Sequence, residues 1–276
     1  MNVLRASVLL QLAVLLVLPA SGALAAPTAD LWPRWEAHDP ASSRRVDHTA
    51  WDRFLQAYLD TVHPSGVHRM RYAAVTPTDR RELERYLARL EGTLVSSLDR
   101  DEQRAYWINL YNALTVKVVL DHYPVSSIRR INISPGWLTR GPWEAKLVRV
   151  EGTALTLNDI EHRILRPIWR DPRIHYAVNC ASVGCPNLQP VAFTADNAER
   201  LLTDGARAYV NHPRGVCLDG GRLVLSSIYR WFQEDFGGSE AGVIEHLRLY
   251  AEPPLAAQLL EFRGRARYEY DWSLNE

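Results

Sequence analysis

The sequence predicts an α+β fold, with a helix-rich N-terminal half packed on a small, mostly antiparallel sheet. Three observations carry this. Apolar residues recur at helical spacing through the first half of the chain. Short alternating segments with Gly-containing turns come only later. Strands and helices do not alternate regularly, as a parallel βαβ array would require.

Residues 1–25 have the order of a cleavable secretory signal: one early charge at Arg5, an apolar run from Val8 to Pro19, and a small-residue site at Ala23-Leu24-Ala25. Residues 26–47, rich in Pro, Ala, Ser and charge, read as a flexible leader, and residues 48–276 as one domain. Trp51, Phe54, Leu55, Tyr58, Leu59 and Val62 form one stripe of a first helix. A second helix over Arg80 to Leu90 turns Leu83, Tyr86, Leu87 and Leu90 inward. A third runs from about Asp101 to His122 and stops before Pro124. Its centre is apolar nearly all round, which places it in the interior. Asn109 and Asn112 lie three apart on one of its faces.

Ala145 to Val150 and the segment from Ala154 flank the turn Glu151-Gly152, and Thr156 with Asp159 caps a helix running through Arg166. Ile174 to Asn179 reads as a short strand, followed by the loop Cys180 to Asn187. A helix over Asp196 to Val210, a hairpin across Asp219-Gly220-Gly221, helices from Ser226 or Ser227 to Phe236 and over Glu240 to Tyr250, and a last strand Arg267 to Trp272 complete the chain.

Charge is balanced, with 32 basic and 32 acidic residues. A neutral balance carries no basic footprint for nucleic acid and no polybasic membrane patch. No metal motif, phosphate-binding loop or dinucleotide fingerprint occurs, so no cofactor is expected. The three cysteines, Cys180, Cys185 and Cys217, are too few for a disulfide scaffold.

The remaining chemistry lies in the cysteine loop. Cys180 at the end of a strand, beside the N–H groups of Ala181 and Ser182, suits a thiol nucleophile with oxyanion donors. On a strand, His175 would face opposite to Cys180, whereas His162 on the preceding helix escapes that restriction, so His162 is the preferred base. Asn112, Asn109 and Glu161 compete to orient it. A Cys180–Cys185 disulfide, a satisfied core histidine at His162 and amides that cap buried backbone are the competing readings.

Five ordered blocks resemble the family named domain of unknown function 547. They are Asp101 to Asn112 with Ala113, Leu157 to Arg166, Ile174 to Ser182, Ile228 to Phe236, and Tyr270 to Asn275. The resemblance implies a papain-like or transglutaminase-like core with a cysteine matching Cys180, a histidine and a polar third residue. It also implies that the place of Cys185 can be serine. His162 and His175 both fall inside matching blocks, so the base stays open. Here histidine precedes cysteine, whereas papain has the reverse order.

The function expected on these grounds is an exported, periplasmic or secreted, thiol-dependent hydrolase or acyl transferase. It would act on amide or γ-glutamyl bonds of peptides, envelope fragments or glutathione-like thiols. The alternatives are a non-catalytic module binding peptides or small molecules on the same fold, and a redox protein using Cys180 and Cys185.

Overall fold

The computed structural model describes residues 26–136 and 139–276, so the expected signal segment 1–25 lies outside the described residues. The fold is α+β. Helices α1 (Thr49–Tyr58), α2 (Pro77–Glu91) and α3 (Arg100–His122) make up the N-terminal half. Thr76 caps α2 and Asp99 caps α3, each side chain accepting the N–H three residues on. α3 is buried on nearly every side, as its apolar circumference requires. α1 stops at Tyr58, because Leu59–Asp60 (β1) turns to pair antiparallel with Arg69–Met70 (β2). Val62, expected on the apolar stripe, is therefore exposed.

Strands β3 (Val148–Val150) and β4 (Thr153–Leu155) form the expected hairpin. Beyond it the backbone widens into a π-helical stretch, Asp159–Leu165, which continues as α4 (Arg166–Trp169). The extra residue per turn keeps Glu161 and His162, adjacent in sequence, both inside the protein, at 7% and 5% exposure. π-Helical turns of this kind recur at functional sites.

Ile174 to Asn179 is not a strand. Ile174–Ala177 is a helical turn, α5, and only Val178 onward is extended. The cause is the Asp171-Pro172 pair. Asp171 accepts the Arg173 N–H through its side chain and the Ile174 N–H through its carbonyl, and Pro172 starts the turn. Four residues are too few to show a period that separates helix from strand.

α6 (Ala198–Val210) leads to β5 (Val216–Asp219) and β6 (Arg222–Ser226). Short α7 (Ile228–Trp231), then α8 (Glu240–Tyr250), α9 (Pro253–Glu261) and β7 (Arg267–Glu269) follow. Among the described residues the single sheet expected is instead three small ones, antiparallel except where β7 joins β6 in parallel. One apolar cluster surrounds α3, and a second lies among α6, β5, β6, α8 and α9. The loop after α5 runs between them.

Residues 26–47 are not a loose leader. The Asp30 and Trp32 N–H groups donate to the carbonyls of His162 and Arg163, and the Val46 N–H donates to Glu102. Trp35, 3% exposed, packs edge-on against Trp107 of α3 at 5.1 Å. Composition marked the segment as polar, but two tryptophans among its small residues supply the anchoring area. Trp35→Ala should therefore destabilise the protein by about 3 kcal/mol in urea denaturation. A loss under about 0.5 kcal/mol would mean the segment is not part of the fold.

Candidate functional site

Two buried amides on α3 hold the backbone that leads into and away from the cysteine loop. Asn112 donates from Nδ2 to the Ala177 carbonyl at 2.9 Å and accepts the Asn179 N–H at 2.8 Å. Asn109 treats Phe193 in the same way, donating to its carbonyl and accepting its N–H. Both side chains are thus committed to backbone. Neither orients an imidazole, the role for which Asn112, Asn109 and Glu161 compete on sequence grounds. An amide with one donor edge and one acceptor edge fits a peptide group better than a ring nitrogen.

From Asn179 the chain turns sharply. Asn179 Oδ1 accepts the Ala181 N–H at 2.8 Å, and Ala181 adopts a left-handed φ of 57°. That N–H is consequently not a free oxyanion donor. The Cys185 N–H donates to the Ser182 carbonyl and closes the loop, which folds Cys185 back onto Cys180. On the far side the C-terminal segment pairs with it. The Val183 and Gly184 N–H groups donate to Ser273 and Asp271, and the Asn275 N–H donates to Ala181. Gly184 fits because any Cβ there would lie 2.9 Å from the Asp271 backbone.

The Cys180 sulfur, partly exposed, has three hydrogen-bond partners: Ser182 Oγ at 3.2 Å, Tyr270 Oη at 3.1 Å and Cys185 Sγ at 2.7 Å. The two cysteines are free thiols. Burial pushes the Cys180 thiol up, but the hydrogen bonds from Cys185, Ser182 and Tyr270 together outweigh it and hold it below the usual thiol range. The charge of Glu161 opposes them. Cys185, 4% exposed, is pushed well up, first by burial and then by its hydrogen bond with Cys180 and the Cys180 charge. The pair is an acidic outer thiol and a resistant inner one.

The expected hydrogen bond between Cys180 and His162 is not formed, and His175 is not a partner of the sulfur either. Instead Glu161 stands next to both rings. Its Oε1 lies 3.9 Å from His162 Nδ1 and 3.7 Å from His175 Nδ1. Behind them is a network that sequence reading missed. His175 Nε2 donates to Asp235 Oδ2 at 2.6 Å, Arg166 Nε donates to the same oxygen at 2.5 Å, and Arg166 Nη1 donates to His162 Nδ1 at 3.0 Å. Phe232 stacks on His175 at 4.4 Å and underlies the Arg166 guanidinium at 4.7 Å. Arg166 also donates to the Pro27 carbonyl, so the N-terminal strap closes the network from outside.

These contacts fix the charge states. An imidazole nitrogen that accepts from a guanidinium carries no proton, so His162 is neutral. Its pKa is accordingly lowered to about 4, first by burial, with the Glu161 charge opposing that. Asp235 is lowered to about 2: burial raises it, but the hydrogen bonds from His175 and Arg166 prevail. Arg166, Phe232, Asp235 and Tyr270 left two signals in the sequence: an aspartate inside the apolar block ending at Phe236, and a tyrosine beginning the last block. Neither says which partner it meets.

A family model described as "Protein of unknown function, DUF547" matches residues 95–210. The matched span includes both α3 amides, Glu161, both histidines and the cysteine loop. The blocks at 228–236 and 270–275, which supply Asp235 and Tyr270, lie beyond it. No curated protein and no solved structure matches the chain.

Burial of neutral histidines has a pH signature. The ordinary imidazole value is 6.5, and burial lowers His48, His162 and His246 to about 4. Between these values the unfolded chain binds more protons than the native one. Stability is thus full above about pH 6.5 and declines as pH falls towards 4, by about 1.4 kcal/mol per pH unit for each such group. Asp235 adds a loss only below its ordinary value of 3.8, as pH falls towards 2. Urea titrations at stepped pH should show the decline, and His162→Gln should flatten it between pH 6.5 and 4. An unchanged slope in that variant would mean His162 is not held neutral.

Proposed function

We propose that the chain is a thiol-dependent hydrolase or acyl transferase, exported to the periplasm or secreted, in which Cys180 is the nucleophile. The observation that carries this reading is the convergence of Ser182 Oγ, Tyr270 Oη and Cys185 Sγ, each of a type able to donate, on one partly exposed sulfur. Such donors stabilise a thiolate without a neighbouring imidazole, and the thiolate is the attacking species in acyl transfer. The substrates that suit it are amide or γ-glutamyl bonds of peptides, envelope fragments or small glutathione-like thiols. Kinship to papain-like or transglutaminase-like enzymes belongs to this proposal, with one departure: the thiolate here is held by hydroxyl and thiol donors in place of histidine.

In the proposed reaction the Cys180 thiolate adds to the acyl carbon, and negative charge moves from sulfur to the carbonyl oxygen. Ser182 Oγ and Tyr270 Oη, 3.0 Å from each other, are the donors that can follow that charge. The leaving amine takes its proton from solvent, which reaches the partly exposed sulfur. Water or an acceptor amine then releases the acyl group.

A second reading has its own observation. Because neither histidine hydrogen-bonds the sulfur, the site also suits a module that binds peptides or small molecules without turning them over.

Alkylation of the reduced protein by iodoacetamide, followed site by site in mass spectrometry across pH, separates the two. Cys180 should react at neutral pH on the order of tenfold faster than Cys217, and Tyr270→Phe should shift its pH profile upward. Cys180→Ser should abolish turnover of γ-glutamyl and peptide amides with little change in Tm. A Cys180 no more reactive than Cys217 would favour the binding module.

A further inference from the structure

The loop that carries Cys180 carries a second sulfur that the acyl-transfer reading leaves without a task. Cys180 and Cys185 are separated by four residues. Extended, these would hold the sulfurs far apart. The left-handed Ala181 and the hydrogen bond from the Cys185 N–H to the Ser182 carbonyl reverse the chain instead. Cys185 Sγ then accepts the Cys180 backbone N–H at 2.9 Å and touches Cys180 Sγ at 2.7 Å. Sulfurs at 2.7 Å stand about 0.7 Å outside the disulfide bond length of about 2.05 Å.

We propose that Cys180 and Cys185 are a dithiol–disulfide couple that exchanges with small disulfides of the oxidised-glutathione type. The inference goes beyond the acyl-transfer reading and shares with it only the attacking sulfur.

The two cysteines divide the task by position. Cys180 is partly exposed and reachable, and Cys185 is 4% exposed. In the first step the Cys180 thiolate attacks one sulfur of the small disulfide. A Cys180–S–S–R bond forms, the R–S–S–R bond breaks, and one RS⁻ leaves. In the second step Cys185 loses its proton to solvent and its thiolate attacks Cys180 Sγ. The Cys180–Cys185 bond forms, the mixed disulfide breaks, and the second RS⁻ leaves. The protein has lost two electrons and two protons, and the small disulfide has become two thiols.

The site makes the second step follow the first. While Cys180 is a thiolate, its hydrogen bond and its charge both hold the Cys185 proton in place. Once Cys180 is bonded to a partner sulfur both effects vanish, and only burial still opposes ionisation of Cys185. Arg214 donates to the Val183 carbonyl and to Asn187 Oδ1 on either side of Cys185 in the loop, and brings a positive charge to the inner thiol at that moment. Oxidation would also consume the proposed nucleophile, so the two activities exclude each other on one molecule.

The test uses the full chain carrying Cys217→Ser, incubated with oxidised glutathione and read by intact mass and peptide mapping without reduction. The expected product has lost two hydrogens, carries no glutathione, and yields one linked peptide pair joining Cys180 to Cys185. Adding Cys185→Ser should trap glutathione on Cys180, and adding Cys180→Ser should leave Cys185 unmodified. A stable glutathione adduct on Cys180 with Cys185 intact, or two thiols that both remain alkylatable after excess oxidant, would overturn the proposal. Failure here is distinguishable from failure of the acyl-transfer reading. Fast alkylation of reduced Cys180 without disulfide formation removes only the couple. A disulfide that forms while reduced Cys180 alkylates slowly removes only the activated nucleophile.

Discussion

Where the thiol sits depends on one carboxamide. Asn112, 2% exposed, reaches from the buried helix α3 and satisfies the Ala177 carbonyl and the Asn179 N–H together. The residue between them, Val178, is where the helical turn of α5 ends and the cysteine loop begins. Without the amide, two backbone groups would be buried and unpaired at about 1–3 kcal/mol each. The chain could then escape that cost only by moving, and the loop would move with it. Everything downstream inherits this placement: the reversal at Ala181, the return of Cys185, and the pairing of residues 182–184 with the C-terminal segment.

Opposite the thiols, the buried charges form a closed set. Asp235 receives His175 and Arg166, Arg166 reaches on to His162, and Glu161 stands beside both rings. A buried charge is tolerable only with such partners, and removing one strands the others. The N-terminal strap belongs to the same economy of contacts, because the Pro27 carbonyl takes an Arg166 donor and the Asp30 N–H caps the His162 carbonyl. Glu161 stands beside both histidines, and its charge also acts on the Cys180 thiol.

The sequence made the long elements plain and left the site only half legible. α3 was readable because its apolar residues surround the axis, and α2 because its stripe has helical period. Ile174–Ala177 was not, because so short a segment fits either geometry and the Asp171-Pro172 start decided it. That error carried over to His175, which a strand would have turned away and which the helical turn instead delivers to Asp235. Tyr270 could not be assigned, since it reaches the sulfur only through a tertiary contact ninety positions away in sequence. The roles proposed for Asn112 and Asn109 failed for a physical reason: an interior amide finds peptide groups before it finds side chains, since backbone donors and acceptors are the commoner orphans.

α3, through Asn112, sets the environment of the Cys180 sulfur. The most direct measurement is the ultraviolet thiolate absorbance of reduced protein titrated with pH, comparing Asn112→Ala with the parent in a Cys217→Ser background, each checked for native circular dichroism. Cys180 should titrate below the ordinary thiol range in the parent and move up towards it, to about 8.5, once the amide is gone. A folded Asn112→Ala protein with an unshifted thiolate titration would contradict it.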